Sequence, residues 1–464
     1  MPKRNIIWVL AIVAAGLAVL WAAQRRPALP PALAPAQPPP VQQSLQLIRD
    51  NYYKPLDGDF LGRAAVAGMV KALDPFCAYI PPEQAEGLTR RVMDGLTRGT
   101  GLELEIVQGR LRIAQVLANS PADRAGLLTG EQVLEIDGKA AGPLSLKQAR
   151  LMLDGPPHST VRLKLLCPTG QEQAVSLARG EFPIESIEGL YRDDGGEWAF
   201  LLSARPLMGY IRIREFVKGT DEQFQTALRR LGAIRGLVID LRDNPGGSME
   251  AAVAVCDLFV REGVIVSVVG RDGLLGRHQA RSEGDYPEIP LVVLTNARTA
   301  SAAEILAGSL GMHGRAVLVG TRTRGKGTVQ SMLPLPGGLG QVSLTTATFY
   351  LGRLGSIGRQ AGSDRWGIDP HMQVIDPAAN DAPLAALRRR LCALRRAALQ
   401  TATAATAPKA ASPVQELLEL DVQLRQALAL LGRPAEMQAL LRRAAEQAQA
   451  EDEDKPPPAA AEDD

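Results

Sequence analysis

The residues with the strongest claim to chemistry are Ser301, in NARTASAAEILAGSL at 296–310, and Lys326, in TRTRGKGTVQ at 321–330. The serine stands where an apolar, strand-like run, IPLVVLTN, gives way to a helical pattern near Ser301, which puts its side chain at the positive end of a helix dipole. The first N–H groups of such a helix, beginning with Ala302, have no helical partner and can face a developing oxyanion. The plainer reading is a helix N-cap, and Glu304 three residues on suits a capping box. No histidine adjoins the serine. Lys326 offers a base instead, because a desolvated lysine loses its charge readily enough to serve near neutral pH, and a Ser-Lys pair substitutes for a histidine relay. Gly325 and Gly327 permit a tight backbone around it, and Gln330 follows four residues later. The competing reading is a surface lysine in a flexible loop. A third segment, GLVIDLRDNPGGSM at 236–249, reads as a buried strand, a paired-glycine turn and a helix. Its N–H at Gly246 or Gly247 would be aimed at an oxyanion; otherwise it is an ordinary strand-to-helix corner.

These segments need a scaffold, and residues 181–376 supply one. MGYIRIREF, GLVIDLR, IPLVVLTN and AVLVG are near-continuous apolar runs, separated by helical patterns such as DEQFQTALRRLGAI, SMEAAVAVCDLFV and SAAEILAGSL. That alternation predicts an α/β core with a largely parallel sheet covered on both faces, and chemistry at its loops. Residues 96–180 have a different texture: short alternating runs, LELEI, LRIAQVL, QVLEIDG, VRLKLL and AVSLAR, with one helix expected over SLKQARLMLDG. This is a small, mostly β domain. In its opening RGTGLELEI, Gly99, Thr100, Gly101 and Leu102 form a loop whose N–H groups would face an anion.

With SPADRAGL at 120–127 and GEQVLEIDG at 130–138, that loop resembles a bacterial PDZ domain. The resemblance implies that a peptide's C-terminal carboxylate sits on Gly99–Leu102 while its backbone adds a strand to the sheet edge. NPGG, TASAAEI and RGKGTVQ, in this order behind a PDZ-like domain, resemble the carboxy-terminal processing peptidases, or tail-specific proteases, over about residues 45–376. The resemblance implies a crotonase-like core, Ser301 as nucleophile, Lys326 as general base, Gln330 orienting the lysine, and the N–H groups of Gly246 and Ala302 as the oxyanion hole. It also implies protein or peptide substrates with free C-terminal tails, cleaved near their C-termini; no cofactor is expected, and the scattered cysteines and histidines lead to the expectation of no metal. Two departures stand out: GRLGSI at 352–357, and His371 where an aspartate is common.

Composition narrows the alternatives. Lys and Arg number 52 against 50 Asp and Glu, and only 4% of residues are aromatic, so no nucleic-acid partner is expected. Cys77, Cys167, Cys256 and Cys392 lack metal or redox spacing, and the four histidines are scattered. Residues 1–26 contain IIWVLAIVAAGLAVLWAA, long enough for an uncleaved signal anchor, which predicts a single-pass protein of the cell membrane with its catalytic part in the periplasm. A Pro-rich linker follows at 27–40, then a helical region at 41–95 broken at Pro55, Pro75 and Pro81-Pro82. Residues 377–450 read as helices, and 451–464 as a disordered acidic tail. An adaptor protein and a homodimer through the C-terminal helices are further candidate partners. Three rival functions share these residues: a Ser-His-Asp hydrolase using His313 or His371, acyl-CoA chemistry on the same fold, and a membrane-tethered PDZ scaffold with an inactive protease core.

Overall fold

Val, Ile and Leu crowd the runs LVID, LVVLT and AVLVG, and all their residues are buried in the strands Leu237–Asp240, Leu291–Thr295 and Ala316–Gly320. In this computed structural model, which describes residues 40–453 apart from 168–169, 194, 282–284, 287, 360–364 and 394–411, those strands pair in parallel, in register. Leu207–Ile213 joins them on one side and Met372–Gln373 on the other, and antiparallel pieces at Ile187–Glu188 and Leu201–Ala204 complete a seven-stranded sheet.

Strand alternation then divides the apolar side chains between two faces. Leu237, Ile239, Leu291, Val293, Ala316 and Leu318 pack in one cluster with the helices Thr220–Leu231, Met249–Asp257 and Ala302–Met312. Val238, Val292, Leu294, Val317 and Val319 pack in a second cluster with Leu387, Leu391, Leu417, Leu424 and Leu431. The C-terminal helices, Ala378–Cys392, Pro413–Leu420 and Val422–Leu431, therefore cover the second face of the core sheet. The α/β class expected from the sequence is what the chain adopts.

A second sheet is antiparallel, which the apolar runs did not announce. Its central strand, Gln341–Leu351, pairs with Ala78–Ile80, Val264–Gly270 and Thr328–Pro334, and Gly273–Gln279 lies at its edge. This sheet carries the lysine loop. The β-rich domain has a six-stranded sheet, with Leu102–Val107, Arg110–Val116, Gln132–Ile136, Thr160–Leu166 and Glu172–Ala178 in that order and the short strand Lys139–Ala140 paired with Gln132–Ile136. Its helix, Leu146–Leu153, starts at a Ser145 and Gln148 capping box, within the stretch expected to be helical. A two-stranded ladder, Leu96–Gly99 with Gly180–Pro183, connects it to the core.

The chain divides into two compact units, Met1–Met69 and Val70–Asp464. Helices over Pro40–Asn51 and Gly58–Lys71 start the described residues, so the division falls inside the region expected to be one helical collar. The helix Pro434–Glu453 extends into the stretch expected to be a disordered tail. The expectation of a single-pass membrane protein with a periplasmic catalytic part is corrected. Among the described residues no helix is long and apolar enough to cross a membrane. The longest, Pro434–Glu453, carries Arg442, Arg443 and Glu446 in its middle. The anchor expected over 6–23 lies outside the described residues.

Candidate active site

Ser301 sits on the turn between the strand Leu291–Thr295 and the helix Ala302–Met312, at φ 57° and ψ −122°. A non-glycine residue at positive φ is uncommon and costs strain, which persists only where the surroundings enforce it. The enforcement is visible in hydrogen bonds from both sides. The Ala300 N–H donates to the Asn244 carbonyl at 2.9 Å, and the Thr299 hydroxyl donates to the Leu241 carbonyl at 2.8 Å. The Ser301 N–H donates to Glu304 Oε2 at 2.8 Å, whereas the Glu304 N–H goes to the Ser301 carbonyl, not to its hydroxyl. The arrangement of the expected Ser301 and Glu304 capping box is present, but the Ser301 hydroxyl itself makes no cap hydrogen bond and is left for other work.

The glycine turn lies directly against the serine. A Cβ on Gly246, at φ +97°, would stand 2.6 Å from Ser301 Cβ, and one on Gly247, at φ +131°, would stand 1.9 Å from the Phe216 carbonyl oxygen. Neither position tolerates a side chain. The Gly246 N–H donates to Asn244 Oδ1 at 2.8 Å, while the same side chain's Nδ2 donates to the Ile213 carbonyl. Gly247 bridges Phe216, whose N–H and carbonyl pair with the Gly246 carbonyl and the Ser248 N–H. That leaves the N–H groups of Gly247 and Ala302 without an acceptor among the described residues.

The lysine loop is held to the Ser301 turn through one carboxylate. Glu304, fully buried on the helix Ala302–Met312, accepts from the Gly325 N–H at 2.7 Å, the Lys326 N–H at 2.9 Å and the Thr323 hydroxyl, besides the Ser301 N–H. Burial pushes its carboxyl above the ordinary value, and these four donors oppose the shift. Lys326 itself is half-buried, and among the described residues its ammonium makes neither hydrogen bond nor ion pair. Desolvation, with Arg324 as a second cause, holds it below the ordinary lysine value. Gln330 Nε2 donates to the hydroxyls of Thr345 at 2.8 Å and Thr328 at 3.0 Å, and no hydrogen bond joins Gln330 to Lys326.

Ser301, Ala302, Gly247, Lys326 and Gln330 all line one cavity of about 690 Å³. The wall beside them is apolar, with Met249, Ala254, Ile305, Val329, Met332 and Phe349. A separate cavity of about 370 Å³ in the β-rich domain is lined by Gly99, Thr100, Gly101 and Leu102, together with Leu117 and Phe182. Neither histidine considered as a base lies on the serine's cavity. His313 Nε2 contacts the Val264 carbonyl at 3.0 Å. His371 Nδ1 accepts the Leu318 N–H at 3.2 Å, and burial lowers its pKa to about 4.

Residues 207–374 match Peptidase family S41, and residues 112–166 match the PDZ domain family. The carboxyl-terminal-processing protease of Synechocystis sp. is 36% identical over 317 residues, covering 66% of this chain and 71% of that protein. The chain belongs to the carboxy-terminal-processing protease family. The family's protein in Bartonella bacilliformis is 31% identical over 311 residues, covering 65% and 68% of the two chains. Among solved structures, a photosystem II D1 C-terminal processing protease is 25% identical and covers 76% of this chain and 96% of its own, with a TM-score of 0.43. Membership rests on the sequences rather than on that superposition. The family assignment makes the molecule a serine peptidase of family S41 with a PDZ domain.

Two residues escaped the sequence reading. Asn244 joins the glycine turn to the Ser301 turn, and Glu304, noticed only as a possible cap, joins that turn to the lysine loop. The RDNPGG context was the only signal for the first. For the second, an acidic residue in an otherwise apolar helical stretch was the signal, since a fully buried carboxylate must be paired.

Proposed function

We propose that this carboxy-terminal-processing protease cleaves peptide bonds with a Ser301–Lys326 pair. The observation that carries the reading is a serine held at positive φ on the cavity that also receives a half-buried lysine whose ammonium makes no ion pair among the described residues. Neutral Lys326 Nζ takes the proton of the Ser301 hydroxyl as Oγ attacks the substrate carbonyl carbon, and the carbonyl oxygen becomes an oxyanion. The N–H groups of Ala302 and Gly247 receive it. Gly247 replaces Gly246 in this role, because the Gly246 N–H is already committed to Asn244. Collapse of the tetrahedral adduct expels the leaving amine, which takes its proton from the Lys326 ammonium. A water that Lys326 deprotonates then attacks the acyl-enzyme and releases Ser301. Gln330, its amide nitrogen anchored by two threonines, offers its carbonyl oxygen to the lysine.

The substrate follows from the two cavities. The apolar wall beside Ser301 suits an apolar side chain next to the scissile bond, and the Gly99–Leu102 loop suits the carboxylate of a free C-terminal tail. The test uses the purified full chain and a reporter peptide with apolar residues near a free C-terminus. Ser301→Ala and Lys326→Ala are each expected to lower kcat by at least about 10³-fold while the peptide still binds. Undiminished turnover by Lys326→Ala would sink the pair.

A further inference from the structure

Lys326 is enclosed by a segment that lies ahead of the PDZ domain in the chain. Asp74 Oδ1 closes a tight turn by accepting the N–H groups of Phe76 at 2.7 Å and Cys77 at 2.9 Å. The turn runs straight into Ala78–Ile80, and the pairing of Ala78 with Ser343 sets its position beside the strand Gln341–Leu351. Two contacts result. The Phe76 ring has its centroid 5.5 Å from Lys326 Nζ. Cys77 Sγ accepts the Thr345 N–H at 3.3 Å, lies 3.6 Å from Thr345 Oγ1 and donates to Asp74 Oδ2 at 3.2 Å. The Thr345 hydroxyl in turn accepts from Gln330 Nε2 at 2.8 Å. With that nitrogen committed to two hydroxyls, the Gln330 carbonyl oxygen alone has no partner among the described residues.

We propose that the Asp74–Cys77 turn is part of the lysine's seat: Phe76 is a positioning residue that shields Lys326 from water, and the Cys77–Thr345 contact fixes the Gln330 amide with its carbonyl toward the lysine. The proposal rests on Lys326 acting as the base. The charged groups around that ammonium are Arg324 on its own loop, Glu304 from the nucleophile helix and Asp74 from the turn itself. Arg324 favours loss of the proton, and the two carboxylates oppose it. Phe76 works with Arg324, because burial is the largest cause of the lysine's lowered pKa. Attraction between the ammonium and the ring works the other way. At 5.5 Å it is close to the outer limit of about 6 Å for such contacts, so shielding dominates.

The test is the pH profile of kcat/KM for the full chain on the reporter peptide. In Phe76→Ala the ascending limb is expected to move up by about one pH unit, since the lysine regains water. In Phe76→Leu it is expected to stay near the parent position, since the cover remains and only the ring is lost. Activity lowered equally at every pH in Phe76→Ala, with an unmoved limb, would overturn the shielding role, as would a downward shift in both variants. Thr345→Val is expected to lower kcat about tenfold at unchanged KM, with Thr345→Ser restoring it. Equal activity of the two would overturn the link to Gln330, and this pair of variants decides the proposal if Phe76→Ala does not fold. Lys326→Ala separates the two levels of inference. If it is inactive and the other variants behave as the parent, the seat fails and the base stands; if it retains full activity, the base itself fails.

Discussion

At the scale of single residues, the candidate site is organised by a buried carboxylate, Glu304, that does not line its cavity. Glu304 Oε2 accepts from the Ser301 and Lys326 N–H groups together, and Oε1 from Gly325 and Thr323. One side chain thus fixes the separation of the Ser301 turn and the lysine loop. Glu304→Gln replaces one acceptor oxygen with an NH₂ that faces donors, leaving buried N–H groups unpaired at about 1–3 kcal/mol each. The expected outcome is a lower melting temperature with a kcat reduced at least tenfold and KM little changed, read by calorimetry and steady-state kinetics. Wild-type kcat in a destabilised variant would remove the positioning role. Ser301 and Lys326 were legible in the sequence because small residues and glycines around them announce unusual backbone. The Glu304 connection was not, because its acceptors bind donors 19 to 22 residues away, on a loop whose path only the fold determines.

At the scale of elements, the continuous apolar runs disclosed the parallel strands, since a strand buried on both faces has no polar side to show. The antiparallel sheet stayed hidden because QVSLTTATFYL mixes threonines with apolar residues, and its burial depends on which neighbours it acquires. The C-terminal helices were legible as helices but not as the second cover of the sheet. What docks them includes a buried ionic cluster formed across 179 residues of chain. Arg242, just after the strand Leu237–Asp240, donates to Asp240 at 2.7 and 2.9 Å and to Asp421 at 2.8 Å through two nitrogens, and Arg388 donates to Asp421 at 2.7 Å. Burial alone would raise the Asp421 pKa, but Arg242 and Arg388 outweigh it and bring it down to about 2, from 3.8. The unfolded chain therefore takes the proton first on acidification. This contribution to stability is complete above about pH 4 and is lost as pH falls through about 2. Melting temperatures between pH 5 and pH 2 should show a decline that is shallower in Asp421→Asn, a variant already destabilised by roughly 3–5 kcal/mol at pH 7 because Arg242 loses a buried partner. An identical decline in both proteins would place the acid sensitivity elsewhere.

At the scale of the whole molecule, the PDZ domain and the cavity lined by Ser301 and Lys326 are linked by short pieces of chain. The loop at Thr100 and Gly101 follows immediately on the strand Leu96–Gly99, and Glu181 on its partner strand forms ion pairs with Arg90 and Arg98. Upstream of that strand, Val92 and Met93 from the five-residue helical turn Arg90–Asp94 line the cavity that holds Ser301. Under the proposed function, tail recognition and peptide-bond cleavage use adjoining parts of one chain and different parts of the substrate. Binding at the loop would then be remote from the reacting carbonyl, made equally in the ground and transition states, and would belong to KM. Amidating the C-terminus of the reporter peptide removes the charge that the loop's N–H groups would receive. It is expected to raise KM about tenfold or more and leave kcat within about twofold. A fall in kcat at unchanged KM would mean that the tail acts on the catalytic groups themselves, through the Leu96–Gly99 ladder, rather than by holding the substrate in place. Unchanged values of both constants would remove the loop from substrate recognition altogether.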